Sequence, residues 1–306
     1  MRYSLRQLQI FQEVARHLSY TRAAEALNLT QPAVFAQVRQ LEDQTGHKLI
    51  ERLGKALFLT EAGETVLASA QRMLDEVASL DMRLAEMQGL ARGRLRLAVV
   101  STAKYDIPAR IGAFNAGYPG IEVALTVCNR EELLARFARN ADDLYILGTP
   151  PEGLAADVER YAENPLVVIA PPGHPLAGRD GLGMKDLARY PFLMRESGSG
   201  TRLAAERCFQ DAGASPSVRL ELGANEAVKQ GVIAGLGLSV LSRATVALEL
   251  RHGYLRELDV APFPIVRHWH VAWPRGKRLT LASEAFLGQL RQDGAKGGSE
   301  AARHVV

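Results

Sequence analysis

The chain has 306 residues, 47% of them hydrophobic and 23% charged, with a formal net charge of +3. That length gives room for two or three domains with cores of their own, and so small a charge excess excludes a polycationic coat for nucleic acid; any basic surface must be local. No apolar run is long enough to span a membrane, the amino end lacks a signal-peptide pattern, and Cys128 and Cys208 have no metal-ligand spacing, a combination that suits a cytoplasmic protein.

Leu5, Leu8, Phe11, Ala15 and Leu18 give a first helix an apolar stripe that can cap the pair of helices after it. Residues 21–42 read as two short helices joined by a tight turn. Ala23, Ala24 and Leu27 form the apolar side of the first, Asn28 and Leu29 make the turn, and Thr30 is the expected N-cap of the second, with Gln31 and Pro32 in its first turn. Val34, Val38 and Leu41 share one face at helical spacing. Gln31, Phe35, Arg39 and Glu42 are expected on the opposite face, where an amide, a guanidinium and a flat ring are groups that read base edges. The spacing points to a helix-turn-helix whose second helix enters the DNA major groove through Thr30, Gln31, Pro32, Ala33, Phe35 and Arg39. An ordinary pair of core helices is the competing reading. Residues 1–60 carry eight Lys/Arg against five Asp/Glu, a balance compatible with phosphate contacts.

The second helix should end near Gly46, and 49–52 and 57–60 then form a small β-hairpin turning through Gly54 and Lys55. Beside a helix-turn-helix this hairpin is a wing, with Arg52 and Lys55 where it meets the DNA backbone or minor groove; for Lys55 a solvated surface charge is the competing reading. Thr60 caps a long helix over 61–87. In it Val66, Ala70, Met73, Val77, Leu80, Leu84 and Met87 repeat alternately at four and three residues, an unbroken heptad seam. A second copy of the chain would cover that seam and place two reading heads on one duplex; packing on the chain's own second domain is the alternative. The glycines of 89–93 break the helix and read as a hinge.

From Arg94 strands and helices alternate. Strands are expected at 95–100, 121–127, 144–147, 166–170, 192–194, 218–222 and 238–241, and helices at 108–115, 131–141, 201–212, 225–234 and 244–250. The pattern predicts an α/β unit with a mainly parallel sheet, large enough for two lobes with a cleft between them. Ligands in such sheets collect where helix N-termini meet the carboxyl ends of strands.

The stretch LRQLQIFQEVARHLSYTRAAEALNLTQPAVFAQVRQLEDQTGHKLIERLGKALFLTEAGE, with NEAVKQGVIAGLGLSVLS and PPGHPLAG further on, resembles the LysR-type transcriptional regulators. The likeness covers the chain up to about Gly294. It implies an α+β multidomain protein: a winged helix-turn-helix over 1–60, a linker and dimerisation helix with its hinge over 61–92, and a two-lobed α/β, periplasmic-binding-protein-like effector domain over 93–294. Lobe I would take about 93–162 and 268–294 and lobe II about 163–267, leaving 295–306 as a tail expected to be disordered. The family also implies a homodimer pairing into a homotetramer, an interrupted palindromic operator in double-stranded DNA, and RNA polymerase as a further partner. Phe35 departs from the small polar residue usual at that position, and a thymine methyl is one group it would suit. STAKYDIPARI, RESGSGTR and RHWHVAWPRGKRL further resemble the regulators of Calvin-cycle (RuBisCO) operons, which implies a phosphorylated or nucleotide metabolite as effector.

The residues permit such an anion. Ser101 and Thr102 follow the first strand, and the run Ser197, Gly198, Ser199, Gly200, Thr201 leads into a helix whose free N–H groups and dipole suit a negative charge. Lys104 and Arg202 would add charge, Arg202 as a fork onto phosphate or carboxylate. Gly148, Thr149, Asn225 and Glu226 stand at further strand-to-helix junctions, Cys128 ends a strand, and Arg267 and His268 lie near the expected second crossing between lobes. Simpler readings stand beside these: a good turn and N-cap for 197–202, a small buried hydrophobe for Cys128, and a first-turn carboxylate favoured by the dipole for Glu226. His268 and His270 alternate along a strand without a third ligand, so no metal is expected, and no motif asks for a cofactor. There is no GxSxG elbow, no HExxH and no P-loop, which weighs against an enzyme. A purely architectural DNA-binding dimer would need no two-lobed domain of this size.

Overall fold

The computed structural model describes residues 3–54, 56–87 and 92–301, which form two compact units, Met1–Gly93 and Arg94–Val306. In the first, Ser4 opens α1 (Leu5–His17) with a capping box: its hydroxyl accepts from the Gln7 N–H at 3.1 Å, and the Gln7 side chain accepts from the Ser4 N–H at 2.9 Å. The buried face of α1 is Leu8, Ile10, Phe11, Val14 and Ala15. Leu5 and Leu18, expected in that stripe, are exposed; Leu18 is the helix C-cap in the left-handed conformation (φ 45°), so its side chain leaves the helical register.

α2 (Tyr20–Leu27) and α3 (Gln31–Thr45) are joined through Asn28, which takes φ 52°, a conformation asparagine tolerates. Val34, Val38 and Leu41 turn into a core shared with α1 and α2, and burying each contributes about 1.5–3 kcal/mol. Gly46 closes α3 at φ 74°, its N–H bonding the Glu42 carbonyl at 2.8 Å. Glu42 itself corrects the exposure expected for it. Its carboxylate is buried and accepts from the Leu49 N–H at 2.9 Å, the Ile50 N–H at 3.3 Å and Lys48 Nζ at 2.9 Å. Glu42 stands two turns beyond Phe35 on nearly the same side of the helix, where the chain entering the wing folds over it and covers its carboxylate.

The wing is the antiparallel pair β1 (Ile50–Leu53) and β2 (Ala56–Leu59), with Gly54 at φ 63° in its turn; Lys55 lies outside the described residues. Thr60 then starts α4 (Glu61–Met87): its hydroxyl accepts from the Gly63 N–H at 3.0 Å and donates to the Lys48 carbonyl at 2.6 Å. Position 63 tolerates only glycine, because a Cβ there would stand 2.1 Å from the Leu49 carbonyl oxygen. The heptad seam divides. Val66 and Ala70 pack into the helix-turn-helix core, whereas Met73, Val77 and Leu80 are exposed; the side chains of Leu84 and Met87 lie outside the described residues, as does 88–91, most of the expected hinge.

In the second unit one lobe is a five-stranded sheet in the order β4-β3-β5-β14-β6, built from β3 (Gly93–Val100), β4 (Ile121–Cys128), β5 (Leu144–Leu147), β6 (Ala156–Glu163) and, much later, β14 (His268–Pro274). α5 (Ile107–Gly117), α6 (Arg130–Ala138) and α11 (Leu281–Ala301) belong to it, Phe286 of α11 meeting Phe114 of α5 edge-on at 5.2 Å. The other lobe centres on β7 (Leu166–Ala170), flanked by β11 (Ser239–Ser242) and β12 (Arg256–Leu258), with two parallel pairs: β9 (Pro191–Arg195) with β10 (Ser217–Leu222), and β8 (Leu182–Gly183) with β13 (Val260–Ala261). Its helices are α7 (Met184–Leu187), α8 (Gly200–Asp211), α9 (Asn225–Ile233) and α10 (Ala247–Arg251).

The sheets are mixed rather than mainly parallel. β3 and β5 are parallel, but β14 runs antiparallel to β5 and β6, and β11 and β12 run antiparallel to β7, so neither central sheet is built from parallel crossovers alone. The tail expected to be disordered after Gly294 continues as the last turns of α11 to Ala301; elongating a helix already nucleated on the sheet costs far less than starting one. The chain crosses between lobes twice, at 163–166 and 265–268. These crossings are tied to each other by Asn164 N–H to the Arg267 carbonyl at 2.6 Å and by paired bonds between Leu166 and Ile265 at 3.0 Å.

Glu42→Ala would leave the buried Leu49 N–H without its acceptor, so the full-length protein should lose about 1–3 kcal/mol from the transition of its first unit in urea unfolding. An unchanged transition would show that the carboxylate does not hold the wing.

Candidate functional sites: a DNA-reading helix and an anion cleft

The first unit offers a polar, unpaired face. Thr30, Gln31, Pro32, Ala33, Phe35 and Arg39 are all exposed on the N-terminal half of α3. Thr30 stands at the N-cap position, but its hydroxyl makes no cap bond and is left for another partner. Phe35 is held upright by an edge-on contact with Tyr20, ring centroids 5.3 Å apart, so a large apolar ring is presented to solvent at fixed orientation. On the wing, Arg52 is exposed and its Nε donates to the Gly54 carbonyl at 2.9 Å, which orders the turn and leaves the rest of the guanidinium outward.

In the second unit the two crossings form the floor of a cleft that spans about 420 Å³ when the open solvent at its mouth is counted. Of the residues expected there, Ser101, Thr102, Gly148, Thr149, Ser199, Gly200, Thr201 and Arg267 line it, joined by Val100, Asn129, Arg130 and Asn164. Two helix N-termini converge on this space. Ser199 is the N-cap of α8, with Gly198 at φ 82° turning the chain into it, and Asn129 caps α6, its side chain accepting from the Glu132 N–H at 2.8 Å. The first-turn N–H groups of each helix have no intrahelical acceptor.

Arg267 is the central cation. Its guanidinium donates to the Gly200 carbonyl at 3.0 Å and to Thr149 Oγ1 at 3.2 Å. A Cβ at Gly148 would stand 2.9 Å from Arg267 Nη2 and push the tip of the guanidinium aside. Burial, and then the neighbouring charge of Arg130, push the Arg267 pKa below its usual value. Among the described residues neither arginine makes an ion pair. Two guanidinium groups and two positive helix ends face one space that no carboxylate lines, which is the electrostatics of an anion site.

Several expected residues are elsewhere. Arg202 turns away to Glu206 at 2.7 Å, to Glu221 and to the Arg195 carbonyl, because both carboxylates lie on its own side of α8. Ser197 donates its N–H to Glu221 at 3.3 Å at the outer rim. Lys104 and Glu226 pair with each other at 2.8 Å, and Asn225 is buried against Arg195 and the Ser101 carbonyl. Cys128 is buried with its Sγ 4.0 Å from the Val99 carbonyl, and burial pushes its thiol up to about 11, so it is a neutral packing group. His268 faces Arg160 at 3.3 Å, while its neighbour His270 reaches the Gly148 carbonyl at 2.7 Å and steadies the cleft from behind. Among the described residues no three His, Cys, Asp or Glu side chains gather around a metal-sized space, and no helix is long and apolar enough to cross a membrane.

Arg130 and Asn164 had not been expected. An asparagine N-cap followed by Arg130 and two glutamates was readable as a helix start. For Asn164 no local signal exists, because it lines the cleft only through the pairing of two crossings about a hundred residues apart in sequence.

Residues 5–64 match the bacterial regulatory helix-turn-helix protein, lysR family, and residues 88–295 match the LysR substrate binding domain. The chain belongs to the LysR family. It is 46% identical over 294 residues to the RuBisCO operon transcriptional regulator of Acidithiobacillus ferrooxidans, covering 96% of this chain and 95% of that one. It is 48% identical over 286 residues to the protein of the same description from Allochromatium vinosum, covering 94% and 95%. Among solved structures it is similar to the Synechocystis PCC6803 CcmR regulatory domain in complex with 2-PG, at 47% identity and TM-score 0.63, over 65% of this chain and 96% of that one. A LysR-type helix-turn-helix joined to a substrate-binding domain, in a chain so close to named regulators, makes this a DNA-binding transcriptional regulator and not an enzyme.

If the cleft takes anions, inorganic phosphate should raise the Tm of this LysR regulator in a dose-dependent way. Arg267→Met should abolish that increment and Arg202→Ala should keep it. Loss of the increment in Arg202→Ala alone would move the anion site to the outer face of α8.

Proposed function

We propose that this LysR regulator controls a RuBisCO (Calvin-cycle) operon and that a small phosphorylated metabolite, bound in the cleft of its second unit, sets its grip on DNA. The observation that carries the reading is the cleft itself: Arg267 and Arg130 without a carboxylate, beside the N-termini of α6 and α8. The names of the two operon regulators and the 2-PG of the CcmR complex are consistent with it. The same donors suit other small dianions, so regulation of a different metabolic operon by another anionic effector is the alternative.

In the proposed mechanism the chain works in the cytoplasm as a homodimer joined through α4, where Met73, Val77 and Leu80 form an exposed stripe. Dimers pair into a tetramer on an interrupted palindrome. Each half-site is read by the α3 of one subunit through Gln31, Phe35 and Arg39, with Thr30, Pro32 and Ala33 fixing the entry of the helix and Arg52 and Lys55 on the phosphates. The effector favours one of two assemblies by its unequal affinity for them, altering the spacing of the reading heads and the access of RNA polymerase.

A footprint on a RuBisCO-operon promoter at fixed salt, with and without 2-PG, ribulose bisphosphate, phosphoenolpyruvate and NADPH, should shorten or shift with one of them. A specific footprint indifferent to all four would send the effector search elsewhere, and no specific footprint would remove the operon assignment. Arg39→Ala should weaken specific binding by about 1–3 kcal/mol at that site if Arg39 contacts a base. Equal affinity and specificity would place it outside the interface.

A further inference from the structure

Lys104 and Glu226 are turned to each other across the boundary between the lobes. Lys104 and Tyr105 lie in the single turn after β3, in the five-stranded lobe, and Glu226 lies in the first turn of α9 in the other. Lys104 Nζ stands 2.8 Å from one Glu226 carboxylate oxygen, and the Tyr105 hydroxyl donates to the second. Lys229 is packed over the same tyrosine, 5.2 Å from its ring centre, while it pairs with Glu249 at 2.8 Å and donates to the Thr245 carbonyl at 3.3 Å. Burial drives the Glu226 pKa up, but the bonds from Lys104 and Tyr105 outweigh it and hold the carboxyl down at about 2, so it stays charged.

Nearer the cleft a second set of bonds spans the same boundary. Arg195, at the end of β9 and almost wholly buried, donates to Ser101 Oγ at 3.2 Å and to the Asn225 side-chain oxygen, and is neutralised by Glu196 at 2.7 Å. The Asn225 amide in turn donates to the Ser101 carbonyl at 3.4 Å. Ser101 therefore belongs both to the cleft wall and to the seam. Because its oxygen already accepts from a guanidinium, its own proton is directed to some other acceptor, and an anion in the cleft supplies one.

We propose that Glu226 is a positioning residue for the cleft: by clasping Lys104 and Tyr105 across the lobe boundary, it holds the lobes at their present approach before any ligand arrives and keeps Ser101 and Thr102 aimed at the anion. A half-exposed ion pair contributes little as a pair. Its leverage lies in the population of the binding-competent form, since apparent affinity falls in proportion as that form becomes rarer. The proposal rests on the anion reading of the cleft only for its ligand arm.

The test uses the full-length protein and the variants Glu226→Ala, Glu226→Gln, Lys104→Met and the Lys104→Met/Glu226→Ala double. Amide hydrogen exchange without ligand comes first, followed by titration with 2-PG. In Glu226→Ala, exchange should rise about 5-fold or more both at 101–105 and at 225–229, segments on different lobes, with the global Tm nearly unchanged. Its affinity for 2-PG should drop about 5- to 10-fold, as expected when the competent form becomes rarer by that factor. Glu226→Gln, which keeps an acceptor for Tyr105, should fall between, and the double variant should be no worse than Glu226→Ala. Faster exchange confined to α9, with 101–105 unchanged, would overturn the clasp; so would unchanged 2-PG affinity in a variant whose lobes have loosened. Should 2-PG bind neither wild type nor variants, the ligand assignment fails and the exchange comparison alone decides the clasp.

Discussion

The second unit depends on a cation left without a counter-ion. A guanidinium drawn partly out of water normally regains a carboxylate, as Arg96 does with Asp143 at 2.6 Å and Arg136 with Asp142 at 2.7 Å. Arg267 instead receives a carbonyl and a hydroxyl and faces a second arginine. A partly desolvated guanidinium without a carboxylate is destabilising, and the proposed anion would relieve that cost on binding. The surroundings make sense on those terms. Gly148 gives the guanidinium room, His270 steadies the Gly148 carbonyl, and two helix N-termini add positive potential without adding a proton that could be lost.

The two lobes meet around this site through polar bonds, with Asn164 buried and bound by Ser242 at 2.6 Å at one crossing and Ser101 at the far wall. Polar seams of this kind can be remade at small net cost, because each bond broken is exchanged for one to water or ligand. Apolar packing is kept within lobes, in the cluster around Phe192 and Phe209 and in the pairing of Phe114 with Phe286. A cleft floored by hydrogen bonds between rigid apolar bodies lets the lobes shift against each other without unpacking either core.

The first unit solves a different problem, presenting a helix face that stays unpaired. α3 is pinned from behind by Val34, Val38 and Leu41 and at its far end by Glu42, so Phe35 and Arg39 are rigidly placed without spending their own polar groups on the fold. α4 serves twice along its length. Val66 and Ala70 complete that core, and among the described residues the same heptad register then continues as the exposed Met73, Val77 and Leu80.

What the sequence by itself determined were features set within a few residues of each other. The apolar face of α3, the turn at Asn28, the stop at Gly46, the Thr60 cap, the wing and the family were legible, because helical spacing and capping chemistry act over a single turn. The burial of Glu42 was not, because the N–H groups it accepts from belong to the chain entering the wing. One local signal was legible and passed over: Glu206 stands four residues after Arg202 on α8, the spacing of an ion pair, which already argued that Arg202 had a partner outside the cleft. Tertiary structure alone decided which polar groups would share the cleft and which would bind the lobes together. Arg267, Asn164 and Arg130 meet only because two crossings and a helix start are brought together by sheets whose order the chain visits out of sequence. Lys104 meets Glu226 across 122 residues for the same reason. A charge's role depends on the nearest opposite charge, and that distance is a property of the folded sheets, not of the spacing along the chain.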